Sequence, residues 1–93
     1  MRLRFLINPR TGEPHVYDHG VTDMDVLDVL EAPMESRPGD RGAMVALGQT
    51  RNGQYLRVIY RPEPERASVF VITAFTPGPK SIQALRRRLR RKR

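Results

Sequence analysis

The dipeptide Asn52-Gly53 constrains this chain more than any other feature. It stands between "AMVALGQT" (43–50) and "QYLRVIYR" (54–61), two runs rich in aliphatic and aromatic residues. Asn and Gly accept the positive φ of a tight hairpin, so the two runs are expected to pair as antiparallel strands. A two-residue loop sets Leu47 against Val58 and Val45 against Tyr60. On the opposite face it sets Met44 against Arg61, Ala46 against Ile59, Gly48 against Arg57 and Thr50 against Tyr55.

The remaining elements follow from local signals. "RLRFLI" (2–7) alternates and predicts a first strand, and "NPRTG" (8–12) predicts a turn. Thr22 is a good helix N-cap, and Asp23 and Asp25 follow it where the helix dipole favours acids. Val21 and Val26 have the spacing of a hydrophobic staple. Val26, Val29 and Leu30 then form one face of a helix that Pro33 stops. "ESRPGDRG" (35–42) reads as a loop. "SVFVITAF" (68–75) is apolar on both faces, as an interior strand should be. After "TPGP" (76–79), Ile82, Leu85 and Leu89 make a narrow stripe among cations, predicting a basic C-terminal helix over 80–93. Residues 1–93 thus predict one α+β domain of order β-α-β-β-β-α, with an antiparallel sheet.

Charge placement narrows the partners. Residues 1–46 hold five Arg against eight acids, whereas residues 47–93 hold twelve basic residues against Glu63 and Glu65. Fifteen of the seventeen cations are Arg, whose planar fork suits phosphate better than mere solubility requires. Residues 86–93 alone carry seven positive charges. Such a run repels itself unless an anion lies alongside, and RNA is the first candidate. An anionic membrane is disfavoured because the stripe has no aromatic anchor, and no run is apolar enough to suggest a span. Zero cysteines exclude disulfides and thiolate metal sites, and suit a cytoplasmic location. No cofactor motif is present.

Three clusters carry the candidate chemistry. Tyr17-Asp18-His19 puts three proton-transfer groups in a row; in an extended segment Tyr17 and His19 share a side. Either His19 moves a proton, or it bends the chain before the Thr22 cap with its ring bonded to a nearby carbonyl. His15 and His19 have metal-ligand spacing only on a helix, which Pro14 and Gly20 oppose, so no metal site is expected. The second cluster is Tyr55, Arg57 and Arg61 on one hairpin face, able to hold a phosphate backbone and stack a base. The competing reading covers that face with the C-terminal helix. The third is the basic run, with Arg86, Arg87, Arg90 and Arg91 as phosphate contacts. The residues past Leu89 should add affinity rather than stability.

"HGVT" (19–22), the acidic helix ending near Pro33, "ALGQT" (46–50), "LRVIYRP" (56–62) and "VITA" (71–74) come in an order that resembles the BrnT group of RelE-like proteins. The resemblance covers about residues 15 to 92. His19-Gly20 matches the group's His-Gly, Gly48 its glycine ending a strand, and Arg61 a basic position ending the next strand. The group often has arginine where this chain has Ala43 or Met44, and again where it has Phe75. The resemblance implies an RNA-binding protein that cleaves RNA without metal, as the toxin of a toxin–antitoxin pair. In that chemistry the RNA's own 2′-hydroxyl attacks phosphate, Arg61 and Arg57 stabilise the charge, and His19 transfers a proton. Its partners would be RNA and a small antitoxin-like protein, with homodimerisation also open. Two alternatives use the same residues: a non-catalytic nucleic-acid-binding or ribosome-associated module, and a protein-interaction domain whose basic helix docks an acidic partner.

Overall fold

The hairpin forms where expected, but its loop is longer by one residue. In the structure, a computed structural model describing residues 1–91, β5 (Met44–Gln49) and β6 (Tyr55–Glu63) are antiparallel. The Gly53 amide donates to the Thr50 carbonyl at 2.8 Å, and the Thr50 amide donates to Gln54 at 2.9 Å. Gly53 takes φ 82°, so the loop is a three-residue turn with a glycine bulge rather than a two-residue turn. A tertiary partner favours this loop: Asp28, on the helix below, accepts from the Arg51 amide and from Arg51 Nε, each at 3.0 Å.

That single residue corrects the pairing. Leu47 faces Arg57, Val45 faces Ile59, Met44 faces Tyr60, Ala46 faces Val58, Gly48 faces Leu56 and Gln49 faces Tyr55. A one-residue slip turns one strand over relative to the other. Leu47 therefore lies on the face of Arg57, and Ala46 on the face of Val58.

The sheet has five strands in the order β1 (Arg2–Phe5), β7 (Ser68–Phe75), β6, β5, β4 (Glu35–Pro38). β1 runs parallel to β7, so the sheet is mixed and the expected all-antiparallel sheet is corrected. The segment read as a loop after Pro33 supplies β4, an edge strand that tolerates Pro38 because one side of an edge needs no partner. β7 is interior, as its two-sided apolar pattern requires, and skips Ile72 where Ile59 pairs with Thr73 but Tyr60 with Val71. β2 (Ile7–Asn8) and β3 (Glu13–Pro14) pair around the 8–12 turn.

α1 (Asp23–Glu31) starts as its sequence dictates. Thr22 accepts from the Asp25 amide at 3.2 Å while Asp25 accepts from the Thr22 amide at 3.0 Å, a reciprocal capping box. Val21 and Val26 meet in the core with Val16, Val29, Ala46, Leu56, Val58, Val71 and Ala74. This core fills one face of the sheet. The other face is crossed by α2 (Pro79–Arg91), of which only Leu85 is fully buried while Ile82 and Leu89 are half-buried. Lys92 and Arg93, the end of the expected helix, lie outside the described residues.

Candidate nucleic-acid interface

Alternation along β6 puts Tyr55, Arg57 and Ile59 on the face opposite the main core. Register then builds one row across four strands: Glu35, Leu47, Arg57, Phe75. α2 fastens over this row at two points. Arg88 donates from Nε and Nη2 to the two carboxylate oxygens of Glu35 at 2.6 and 2.9 Å. That bond holds the Arg88 guanidinium in its charged form, raising an already high pKa. Arg86 Nε donates to the Tyr55 hydroxyl at 3.1 Å, with its guanidinium 5.5 Å from the ring centroid.

Arg57 is half-buried in the middle of the row. Its guanidinium lies 5.8 Å over the Phe75 ring, and its Nε is buried with no hydrogen-bond partner among the described residues. A buried donor left open in this way costs stability that no hydrogen bond among the described residues offsets. The His19 ring comes to the same Phe75 at 6.4 Å, with His15 edge-on to His19 at 5.3 Å. Arg57 and His19 thus gather around one aromatic side chain. Phe75 was missed as a site residue because it reads as the last apolar position of a strand, and nothing in the sequence pairs it with Arg57.

Arg61 does not join them. Four residues further along β6 it stands about 13 Å from Arg57 by strand rise. It is exposed, and its Nη2 donates to the Arg41 carbonyl at 3.0 Å. The grouping of Arg61, Arg57 and His19 is therefore split by the strand's own length. Thr50, Gly48 and Met44 do not stand opposite Tyr55, Arg57 and Arg61; Gln49, Leu47 and Val45 share their face.

Residues 15–19 are not extended either. They form a 3₁₀ turn, so Tyr17, Asp18 and His19 fan out to separate partners. Tyr17 donates to Asp23 at 2.7 Å, and that carboxylate pushes the phenol above its ordinary pKa. Asp18 accepts from Asn8 at 2.8 Å and lies 3.4 Å from His15 Nδ1. Exposed His19 makes no hydrogen bond among the described residues, so the carbonyl partner expected for its ring is not formed.

The outward side of α2 carries Arg86, Arg87, Arg90 and Arg91, all exposed. Two shallow clefts run along it, one of ≈ 310 Å³ beside Gln83, Arg86, Arg87 and Arg90, the other of ≈ 220 Å³ beside Ala84, Arg87, Arg88 and Arg91. α2 contains no acid, and Arg87, Arg90 and Arg91 have no carboxylate partner among the described residues. Forked cations at this spacing can take successive phosphates. The Arg57–Phe75–His19 grouping lies toward the β7 end of the row, and Arg88 is tied at its β4 end. Among the described residues no cluster of three or more His, Cys, Asp or Glu is placed to hold a metal ion. Among them, too, no helix is long and apolar enough to cross a membrane. No family model matches this chain, and no curated protein or solved structure does.

Proposed function

We propose that this chain is an RNA-binding protein of RelE/BrnT-like type, which grips the phosphate backbone with the outward side of α2. One observation carries the reading. α2 is seated by Leu85 and by the Arg88–Glu35 pair, and among the described residues this leaves Arg87, Arg90 and Arg91 without a carboxylate partner on one exposed surface. Seating a helix needs one or two such contacts, and three further unpaired arginines weaken it by mutual repulsion. Phosphate neutralises that repulsion.

A second reading, metal-independent RNA cleavage by a toxin-like protein, is favoured by the meeting of His19 and Arg57 at Phe75. The imidazole would take the proton of the 2′-hydroxyl as its oxygen attacks the adjacent phosphorus and the P–O5′ bond breaks. This leaves a 2′,3′-cyclic phosphate and a 5′-oxygen that is protonated by the imidazolium or by water, while the guanidinium stabilises the charge on the phosphate. Arg61 is too far along the strand to act on the same phosphate.

Binding of single-stranded RNA across a salt series tests the first reading. The triple variant R87A/R90A/R91A should flatten the slope of log affinity against log salt by up to about 2.1. An unchanged slope would sink it. Cleavage that survives both H19A and R57A would sink the second.

A further inference from the structure

Beyond the row that α2 covers, the same sheet face stays open. The next row reads Arg37, Val45, Ile59, Thr73 across β4, β5, β6 and β7. Over it lies a groove of ≈ 460 Å³ lined by Arg37, Pro38, Gly39, Asp40, Ala43, Val45 and Ile59. That size falls within the roughly 300–1,000 Å³ of small-ligand sites. Its floor is the aliphatic pair Val45 and Ile59, both half-buried.

The far end of the groove is the connection from β4 to β5, and it is held in place. The Gly39 amide donates to the Ala43 carbonyl at 2.8 Å, and Arg61 ties down the Arg41 carbonyl at 3.0 Å. A Cβ on Gly39 would come within 2.9 Å of Val45 Cγ2, so a side chain there would lift the connection off the floor. Arg41 keeps φ 55° within it, a conformation a non-glycine residue holds only when its surroundings impose it.

Two opposite charges line this groove without pairing. Neither Arg37 nor Asp40 makes an ion pair or a side-chain hydrogen bond among the described residues. A flat apolar floor with a free carboxylate and a free guanidinium fits a planar heterocycle that offers N–H donors at one edge and a phosphate nearby. Guanine fits best. Its N1–H and N2–H stand side by side and match the two oxygens of one carboxylate. Adenine and cytosine place a ring acceptor next to their amino group, which would repel the second oxygen, and uracil offers one N–H alone.

We infer that the groove over Val45 and Ile59 is a guanine subsite, with Asp40 reading the Watson–Crick edge and Arg37 holding the adjacent phosphate. The inference rests on the RNA-binding reading and deepens it, since the same sheet face continues under α2. An acidic peptide would meet Asp40 as a repulsion, and a peptide strand adding to β4 would find Pro38 without an amide to offer. Guanine in RNA and a free guanine nucleotide share the recognising chemistry.

The test uses the full chain with a short oligouridylate, the same oligomer carrying one guanosine, and 5′-GMP beside 5′-UMP. The guanosine oligomer should bind roughly tenfold tighter than the all-uridine one. D40N should erase that preference, so that the two oligomers bind alike, and R37A should weaken both oligomers. Binding of 5′-GMP that D40N abolishes, with no preference among oligomers, supports the subsite and assigns it to the free nucleotide. RNA binding with neither a guanine preference nor a 5′-GMP signal overturns the inference and leaves the RNA reading standing. A preference that survives D40N also overturns it. Failure to bind any oligomer or nucleotide overturns both.

Discussion

Leu85→Ala isolates what holds α2 on the sheet. Leu85 is 1 % exposed, whereas Ile82 and Leu89, on the same stripe, are only half-buried. Truncating a fully buried leucine costs about 2–5 kcal/mol, least where the surroundings can collapse into the space. A single helix lying on a sheet can settle inward, so about 2–3 kcal/mol is expected here. For a domain of this size total stability is about 5–14 kcal/mol, and each kcal/mol moves Tm by about 4–8 °C. The variant should therefore melt roughly 10–20 °C lower. Ile82→Ala and Leu89→Ala should each cost about 1 kcal/mol, because half of each side chain already faces water. Thermal and urea denaturation followed by circular dichroism measure all three. Equal shifts for Leu85→Ala and Ile82→Ala would refute the reasoning, because α2 would then have no single seat.

Other substitutions test separate links. Thr22→Ala removes the capping box and should cost about 1 kcal/mol in urea denaturation without changing RNA affinity. Gly53→Val forces a β-branched residue to φ 82° and should lower stability by about 1–2 kcal/mol; an unchanged urea midpoint would mean the loop can rebuild. Glu63 has its pKa lowered, first by the hydrogen bond from Arg4 and then by that from Ser68. Its contribution is thus present above the ordinary carboxylate value of 4.5 and is lost as pH falls through its lower folded value; Glu63→Gln should flatten that acid limb of the stability–pH curve.

Signals confined to one segment were legible in the sequence. Thr22, Asp25, Val21 and Val26 specify a helix start among themselves, and the structure builds it from those residues. The interior placement of β7 was legible for a similar reason, since both of its faces are apolar. What escaped depends on distant partners. Asp28 favours the longer hairpin loop from a position 23 residues away, and no local preference at Asn52-Gly53 reports it. β4 is polar and ends in proline, so only its pairing with β5 makes it a strand. The parallel pairing of β1 joins the two ends of the chain's strand order and leaves no local trace. For the site, the arginines of α2 were visible as composition. The Arg57–Phe75–His19 meeting required the register, the bulge and the 3₁₀ turn together.

The two faces of the sheet divide the work unequally. The α1 face is given wholly to stability: Val26, Val29, Ala46, Val58, Val71 and Ala74 are all fully buried there. The α2 face is under-covered, with one fully buried leucine on a helix of thirteen residues. Places where local rules for stability are broken without a structural return are where function is expected. Arg57 leaves a donor buried and unpaired among the described residues, although a smaller apolar residue would fill its row beside Leu47 without that cost. Arg87, Arg90 and Arg91 add repulsion to a helix that Leu85 and Arg88 already seat. Glu at one of those positions would bring i,i+4 pairs and keep solubility. If RNA binds as proposed, phosphates along the outward side of α2 would return what Arg87, Arg90 and Arg91 cost, whereas the buried Nε of Arg57 lies beyond direct reach of that same backbone.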